Sequence, residues 1–313
     1  MTVQIELLLL VLSALFFLSV FAGKASSKYG VPALLLFLAV GMICGTDGVG
    51  IEFDNIYIAQ TIGTVALCII LFSGGMDTKF SEIKPIMLQG FLLSTVGVLL
   101  TALCAGVLIW FVLGCTMPGA GIGFLSSLLL AATMSSTDSA SMFSILRSKG
   151  VHLKQNLRPM LELESGSNDP MAYMLVVTIL DVMKMGTEVS GWMIVFKLLM
   201  QLVVGGLAGY LFGKLAVFVI NKIKIGNDAL YPILVLTFCI FIFSATYYLQ
   251  GNGYLAVYIG GLVIGNSKFV HKRSSMKFFE GLAWLFQLVM FLTLGLLVNP
   301  HELLPIALPA LII

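Results

Sequence analysis

The chain has 313 residues, of which 59% are hydrophobic and 10% charged, with a formal net charge of +2 and a mean hydropathy of +1.06. A soluble protein carries about a quarter charged residues, so this composition excludes a globular enzyme with one large core and describes an integral membrane protein. The small net charge gives no basis for a nucleic-acid partner, and Cys44, Cys68, Cys104, Cys115 and Cys239 have neither metal-ligand spacing nor the pattern of a disulfide framework.

Roughly 20 apolar residues cross a bilayer. On that length the predicted spans are 3–22, 32–46, 57–76, 86–113, 121–146 with an interruption, 156–183, 192–220, 229–249, 253–266 and 278–298, with an eleventh beginning near 302. No basic residue precedes the first span and Lys24 follows its apolar run, so it reads as a retained helix and not a cleaved leader. The odd-numbered connections hold Lys24 and Lys28; Lys79 and Lys84; Arg147, Lys149, Lys154 and Arg158; Lys214, Lys222 and Lys224; and Lys268, Lys272, Arg273 and Lys277. These are fifteen of the seventeen Lys and Arg residues, and the positive-inside rule makes those connections cytoplasmic and the N-terminus external in a cell (inner) membrane. The loop with Asp47, Glu52 and Asp54 then falls outside.

The fifth span contains Ala132-Thr133-Met134-Ser135-Ser136-Thr137-Asp138-Ser139-Ala140-Ser141. Ser, Thr and Asp side chains compete for backbone hydrogen bonds and favour caps over helix interiors. An unwound crossing is therefore expected near Ser135 to Ser139, with Asp138 capping a second half-helix and Thr137 offering its carbonyl or hydroxyl to an ion. Asp138 reads equally as a pure cap.

The sixth span carries Glu162, Glu164 and then Ser165-Gly166-Ser167-Asn168-Asp169-Pro170. Asp169 lies near mid-depth, where an ionisable side chain is a functional hypothesis by default. Ser165 and Asp169 share one helix face, and Glu164 and Asn168 an adjoining one. Gly166 and Pro170 weaken the local ladder and are expected to free carbonyls for coordination. Hard oxygen ligands with one titratable group suit a weakly held alkali cation or a proton, not a transition metal. Glu162 reads either as part of this site or as an ion-pair partner of Arg158. Asp181 reads as interfacial, and His152, His271 and His301 as exposed loop residues.

Gly205, Gly209 and Gly213 recur on one face of the seventh span, a spacing that permits close helix approach, either inside one subunit or at a dimer face. The chain stops at Pro309-Ala310-Leu311-Ile312-Ile313 inside an apolar segment, and a longer polypeptide is expected, with about ten complete spans here and the C-terminal helices elsewhere. A cation channel or ion-gated sensor is the competing class, but such a protein calls for a carbonyl filter or a charged ring. A hydrolase would need a nucleophile with a base; Ser165 beside Glu164 is a poor pair and no histidine lies in a span, so neither enzymatic activity nor a cofactor is expected.

Thr137-Asp138 followed by Glu162-Leu163-Glu164-Ser165-Gly166-Ser167-Asn168-Asp169 resembles the paired signatures of the monovalent cation:proton antiporter-1 family. Leu71 to Met76, Tyr254 to Tyr258 with Gly265-Asn266, and Gly281 to Trp284 with Gly295 to Pro300 look more specifically like its NhaP-type potassium/proton antiporters. The resemblance implies an all-α polytopic fold of inverted repeats with discontinuous helices, cut within the second repeat in this chain. It implies that Asp169 binds K⁺ or Na⁺ in alternation with H⁺, that Ser165 and Thr137 help coordinate, and that Asn168, Glu164 and Asp138 hold the crossing. It further implies electroneutral exchange, a homodimer in the lipid bilayer, and a cytoplasmic regulatory domain beyond residue 313. Ser73 departs from the pattern, standing where many members carry an acidic residue.

Overall fold

The computed structural model describes residues 13–21, 33–116, 121–137, 157–185 and 190–313, together with Glu6, Leu10 and Lys24. The described residues form helices and connections only. Residues 13–21 are helical, followed by α1 (Ala33–Cys44), α2 (Ile56–Asp77), α3 (Phe80–Thr116), α4 (Phe124–Met134), α5 (Leu157–Met185), α6 (Gly191–Lys222), α7 (Leu230–Tyr248), α8 (Gly253–Gly265), α9 (Lys272–Leu297), α10 (Pro300–Leu303) and α11 (Ala307–Ile312). Each of the ten predicted spans meets helical residues. Helices α2, α3, α6, α7 and α9 are individually long and apolar enough to cross a membrane. Helix α5 has the length, 29 residues, but its carboxylates and basic residues lower its apolarity.

Local sequence accounts for the irregular points. Pro85 lacks an N–H and turns Lys84–Ile86 of α3 into a 3₁₀ segment, and Leu93–Gly97 follows as a π-turn. Helix α2 starts where Asn55 Oδ1 accepts the Ile58 N–H at 3.0 Å. Helix α4 has only 11 residues, about 16 Å at 1.5 Å per residue, roughly half the 30 Å hydrocarbon core.

The chain divides into two compact sets of residues. One contains residues 13–21, α1, the start of α2 and residues 281–307. Leu288 packs there with Ala33, Leu34 and Phe37, and Leu292 with Leu15 and Cys44. Helices α1 and α9 touch at glycines: a Cβ on Gly41 would lie 2.8 Å from Gly295 Cα. The turn after α1 reverses through Gly50 at φ +87°, a left-handed value open to glycine. Asp47 in that turn accepts the His301 backbone N–H at 3.0 Å and meets His301 Nδ1 at 2.7 Å, while Thr46 Oγ1 donates to Asn299 Oδ1 at 2.5 Å. His301 is exposed as expected, but it is also latched.

The other set contains the end of α2, helices α3 to α8 and the start of α9. Its centre is α8, buried at nearly every position. Asn252 caps it, accepting the N–H groups of Tyr254 and Leu255 at 2.9 and 3.1 Å. Close packing is possible because facing helices present glycine. A Cβ on Gly205 would lie 2.9 Å from Asn252 O, one on Gly209 2.5 Å from Ala256 O, and one on Gly213 3.2 Å from Gly260 Cα. The glycine face of α6 is therefore occupied inside the chain, which answers the alternative left open by its spacing. From the other side, Gly261 and Gly265 of α8 meet the carbonyls of Phe72 and Met76 in α2. At the end of α8, Asn266 accepts the Phe80 N–H and donates to Thr78 O, both at 2.8 Å, tying it to the α2–α3 connection.

Two outcomes follow from this packing. Gly209→Leu should lower thermal stability by about 1–3 kcal/mol through overpacking, whereas Gly206→Ala should be neutral or slightly stabilising, since its Cβ would meet only Ile259 Cδ1 at 3.8 Å; thermal unfolding of the purified variants reads the difference. The latch depends on pH. The His301 N–H and side chain hold Asp47 below the usual carboxylate range, and Asp47 raises His301. Asp47's contribution is present above its ordinary pKa of about 3.9 and lost in acid, and that of His301 is present below about 6.5 and lost as pH rises through its elevated value. Hydrogen exchange across residues 45–51, corrected for intrinsic rate, should be faster at pH 9 than at pH 6, and His301→Ala should abolish that difference.

Candidate functional site

Helix α4 stops at Met134, where Ser135 turns back to bond its own Oγ to Ala132 O at 2.7 Å, and Ser136 and Thr137 leave helical geometry. The predicted break in the fifth span is thus present as far as residue 137. Asp138, the predicted cap and ligand, lies outside the described residues. Small side chains let α4 approach its neighbours: Ala132 packs with Ala102 of α3 and Ile179 of α5, and a Cβ on Gly106 would lie 3.2 Å from Leu128 Cα. A half-length helix fixed in this way delivers its C-terminal residues to α5.

Helix α5 meets them with the predicted polar stretch. Asn168, fully buried, donates through Nδ2 to Thr137 Oγ1 at 2.7 Å and to Glu164 Oε1 at 3.0 Å. Thr137 Oγ1 lies 3.2 Å from Ser165 Oγ, and Ser165 donates to Glu164 Oε2 at 3.3 Å. The amide's two N–H groups and the two hydroxyls form a donor chain that ends on the Glu164 carboxylate. Ser136 Oγ donates to Asp169 Oδ1 and lies 3.2 Å from Asn168 Oδ1. Thr137, Ser165, Asn168, Glu164 and Asp169 are therefore brought together, with Ser165 fully buried and Asp169 half-buried.

Glu162 stands apart from this group. It pairs with Arg158 Nε at 3.0 Å, one turn away on the same helix, which is one of the two readings its position allowed. Asp181 pairs with Lys197 of α6, and His271 meets Asp228 at 3.2 Å. Ser73 is buried in α2.

Helix α5 runs unbroken through Gly166 and Pro170, so the expected loosening of its backbone takes a different form. The Pro170 carbonyl accepts Asn252 Nδ2 at 2.8 Å. Gly166 is the contact point for Tyr258, whose ring would lie 2.5 Å from a Cβ there. Asn252 thus caps α8 and clamps α5 beside Asp169. Sequence reasoning did not single out Asn252, or the roles of Tyr258 and Ser136. For Asn252 a signal exists: Asn-Gly directly before an apolar run is a helix-start pattern.

The geometry is a carboxylate at mid-helix, hydroxyls from a broken neighbour, and a buried amide joining them. The family model for the transmembrane region of sodium/hydrogen exchangers matches residues 11–313. The chain belongs to the sodium/hydrogen exchanger family. It is 41% identical over 310 residues to the K(+)/H(+) antiporter NhaP of Alkalimonas amylolytica, covering 99% of this chain and 52% of that protein. It is 37% identical to the K(+)/H(+) antiporter NhaP2 of Shewanella oneidensis, covering 94% of this chain and 50% of that protein. The chain spans about half the length of these curated relatives. Among solved structures, the sodium proton antiporter MjNhaP1 of Methanocaldococcus jannaschii shares the fold, with a TM-score of 0.79 at 22% identity over 97% of this chain and 75% of that one.

The polar junction between α4 and α5 can be tested on stability alone. Asn168→Ala strands partners on Thr137 and Glu164 and should cost about 1–3 kcal/mol. Asn168→Asp should cost more, because it sets a second carboxylate against Glu164 where an N–H donor stood. Thermal unfolding at neutral pH should rank unaltered protein above Asn168→Ala and that above Asn168→Asp.

Proposed function

We propose that this chain is the membrane-embedded part of a secondary antiporter that exchanges a monovalent cation, K⁺ in preference to Na⁺, for protons in an electroneutral cycle. The observation that carries the reading is the mid-helix Asp169, hydrogen-bonded by Ser136 of the broken span and one residue from the buried Asn168. A carboxylate at this depth is costly unless it is paired or occupied. A proton neutralises it directly; an alkali cation does so with oxygen ligands, and Thr137 and Ser165 supply such atoms alongside. Competition follows, since a bound cation favours the ionised carboxylate and so opposes the proton. Asp169 is then the shared site, Ser165 and Thr137 its neutral ligands, Asp138 a further ligand or cap, and Asn168 and Glu164 the frame. Glu162, held by Arg158, is given a supporting place at the edge.

K⁺ is favoured because the more similar relatives are named K(+)/H(+) antiporters, while a 29% identical relative is a probable Na(+)/H(+) antiporter. Asn168 in the position before a single Asp169 supports one-for-one stoichiometry. The lysine-rich ends of the spans support a cytoplasmic placement of those connections and an external N-terminus in the cell membrane. We place the protein there as a homodimer, as the resemblance implies.

Proton flux measured in sealed vesicles containing the full-length protein tests this. K⁺ should drive opposing proton movement that leaves membrane potential unchanged. Asp169→Asn should abolish it while the protein stays folded, and Ser165→Ala should weaken apparent cation affinity without stopping turnover, since water replaces one neutral ligand. Near-normal coupled flux in Asp169→Asn would refute the assignment.

A further inference from the structure

A second cavity-forming face of α5 is not used by the exchange site. Leu163, Ser167 and Met171 recur every four residues and line a cavity of about 590 Å³, walled also by α3, α6 and α8. Asp169 is two residues beyond Ser167, hence on the far side of α5 at 3.6 residues per turn, and it does not line this space. The walls are overwhelmingly apolar, with Phe91 of α3, Val203 of α6 and Ile259 of α8 among them. The volume falls within the roughly 300–1,000 Å³ typical of ligand pockets.

The cavity has a direction. Its lining runs along α8 from Leu255 to Val263, about 12 Å at 1.5 Å per residue, and on to Asn266 and Ser267 just past the helix end, close to the depth of one leaflet of a roughly 30 Å hydrocarbon core. Its shallow end is the end of α8 tied by Asn266 to the lysine-rich α2–α3 connection. The polar groups at that mouth differ in what they have left to offer. Asn266 is committed to Phe80 N and Thr78 O, and Ser267 Oγ to Val263 O at 2.7 Å. Lys214 also lines the cavity, one residue after Gly213, which packs on Gly260 and Val263, and its ammonium lies 5.8 Å from the Tyr210 ring centre. No carboxylate among the described residues lies within ion-pair distance of it. An ammonium keeps donors for an anion, and an apolar slot one leaflet deep below it accommodates hydrocarbon.

We infer that this cavity binds one acyl chain of an anionic phospholipid from the lysine-rich leaflet, with Lys214 holding the phosphate-bearing headgroup. Charge complementarity selects the headgroup, and the apolar walls with their depth select the chain. The π-turn of α3 adds to the fit, because Ser94 and Thr95 return their hydroxyls to Phe91 O at 3.2 and 2.6 Å and present no unsatisfied donor to the slot.

Native mass spectrometry of the purified protein, titrated with phosphatidylglycerol and with phosphatidylcholine of identical chains, tests the inference. One phosphatidylglycerol should be retained in preference by about fivefold, the effect of roughly 1 kcal/mol for one lysine near a membrane surface. Lys214→Ala should remove that preference and leave phosphatidylcholine retention unchanged, and Lys214→Arg should keep it. Gly206→Phe points a ring into the cavity from a position whose Cβ would make one ordinary contact, with Ile259 Cδ1 at 3.8 Å, and should reduce retention of both lipids. Equal retention of the two lipids by the unaltered protein, or a phosphatidylglycerol preference that survives Lys214→Ala, would overturn the assignment. So would displacement of the lipid by glycerol phosphate, which carries the headgroup without chains. If Gly206→Phe fails to fold, the exposed Lys214 variants decide the question alone.

Discussion

A polar side chain sealed among helices inside the hydrocarbon region must find its hydrogen-bond partners within the protein wherever no water reaches it. Asn168 is where this constraint acts most strongly. Its amide lies fully buried on α5, and its two N–H groups are taken by Thr137 from the broken span and by Glu164 one turn back. Without the break after Met134, Thr137 would spend its backbone groups within a helix and its hydroxyl would have no set relation to α5. Conversely, without Asn168 the Thr137 hydroxyl would lose its amide donor and keep only Ser165 beside it. The half-helix and the polar helix are each costly alone and are stable as a pair.

The pair in turn needs a fixed backdrop, which is α8. That helix is 13 residues long and so cannot span the bilayer by itself, yet it is the most enclosed helix of its group. Glycines on α6 and at the end of α2 let their backbones close on it to contact distance, with Gly209 over Ala256 and Gly75 beneath Tyr258. Membrane helices gain little from apolar burial against one another and associate through such packing and through hydrogen bonds. Asn252 joins both effects: it caps α8 and holds the Pro170 carbonyl. A proline inside α5 leaves the ladder weaker by one N–H, and here an amide from a neighbouring helix ties down the same turn. Asp169 is therefore carried on a helix that is perturbed but not free.

Much of this was legible in the residues because the bilayer imposes a length and a charge rule on every span. Helices such as Gly191–Lys222 and Leu230–Tyr248 end within two residues of their predicted limits. The meeting of Thr137 with Ser165 agrees with the resemblance, which implied that both help coordinate at one site. What the sequence left open was decided by distance in space. Glu162 had two candidate roles, and proximity to Arg158 on the same helix selects the ion pair. The single glycine face of α6 had two candidate partners, a helix of the same subunit or a second subunit, and α8 occupies it. Asn252 pairs with a carbonyl 82 positions away, a contact that no local periodicity reports.

Helix α5 shows how one span serves two opposed solvents. One side carries Asp169 and Ser165 toward the broken chain and is lined by donors; the other, through Leu163 and Met171, faces an apolar hollow. Between them Gly166 and Tyr258 bring α5 and α8 into contact. A substitution that added bulk at Gly166 would push against a buried ring and, through a rigid helix, against the hydroxyls at Ser136 and Thr137. A change in the apolar hollow would reach the same atoms only by shifting α5 as a body. The two faces are thus separated by side-chain direction and linked by a single helix axis, so that packing on one side sets the position of the Asp169 carboxylate on the other.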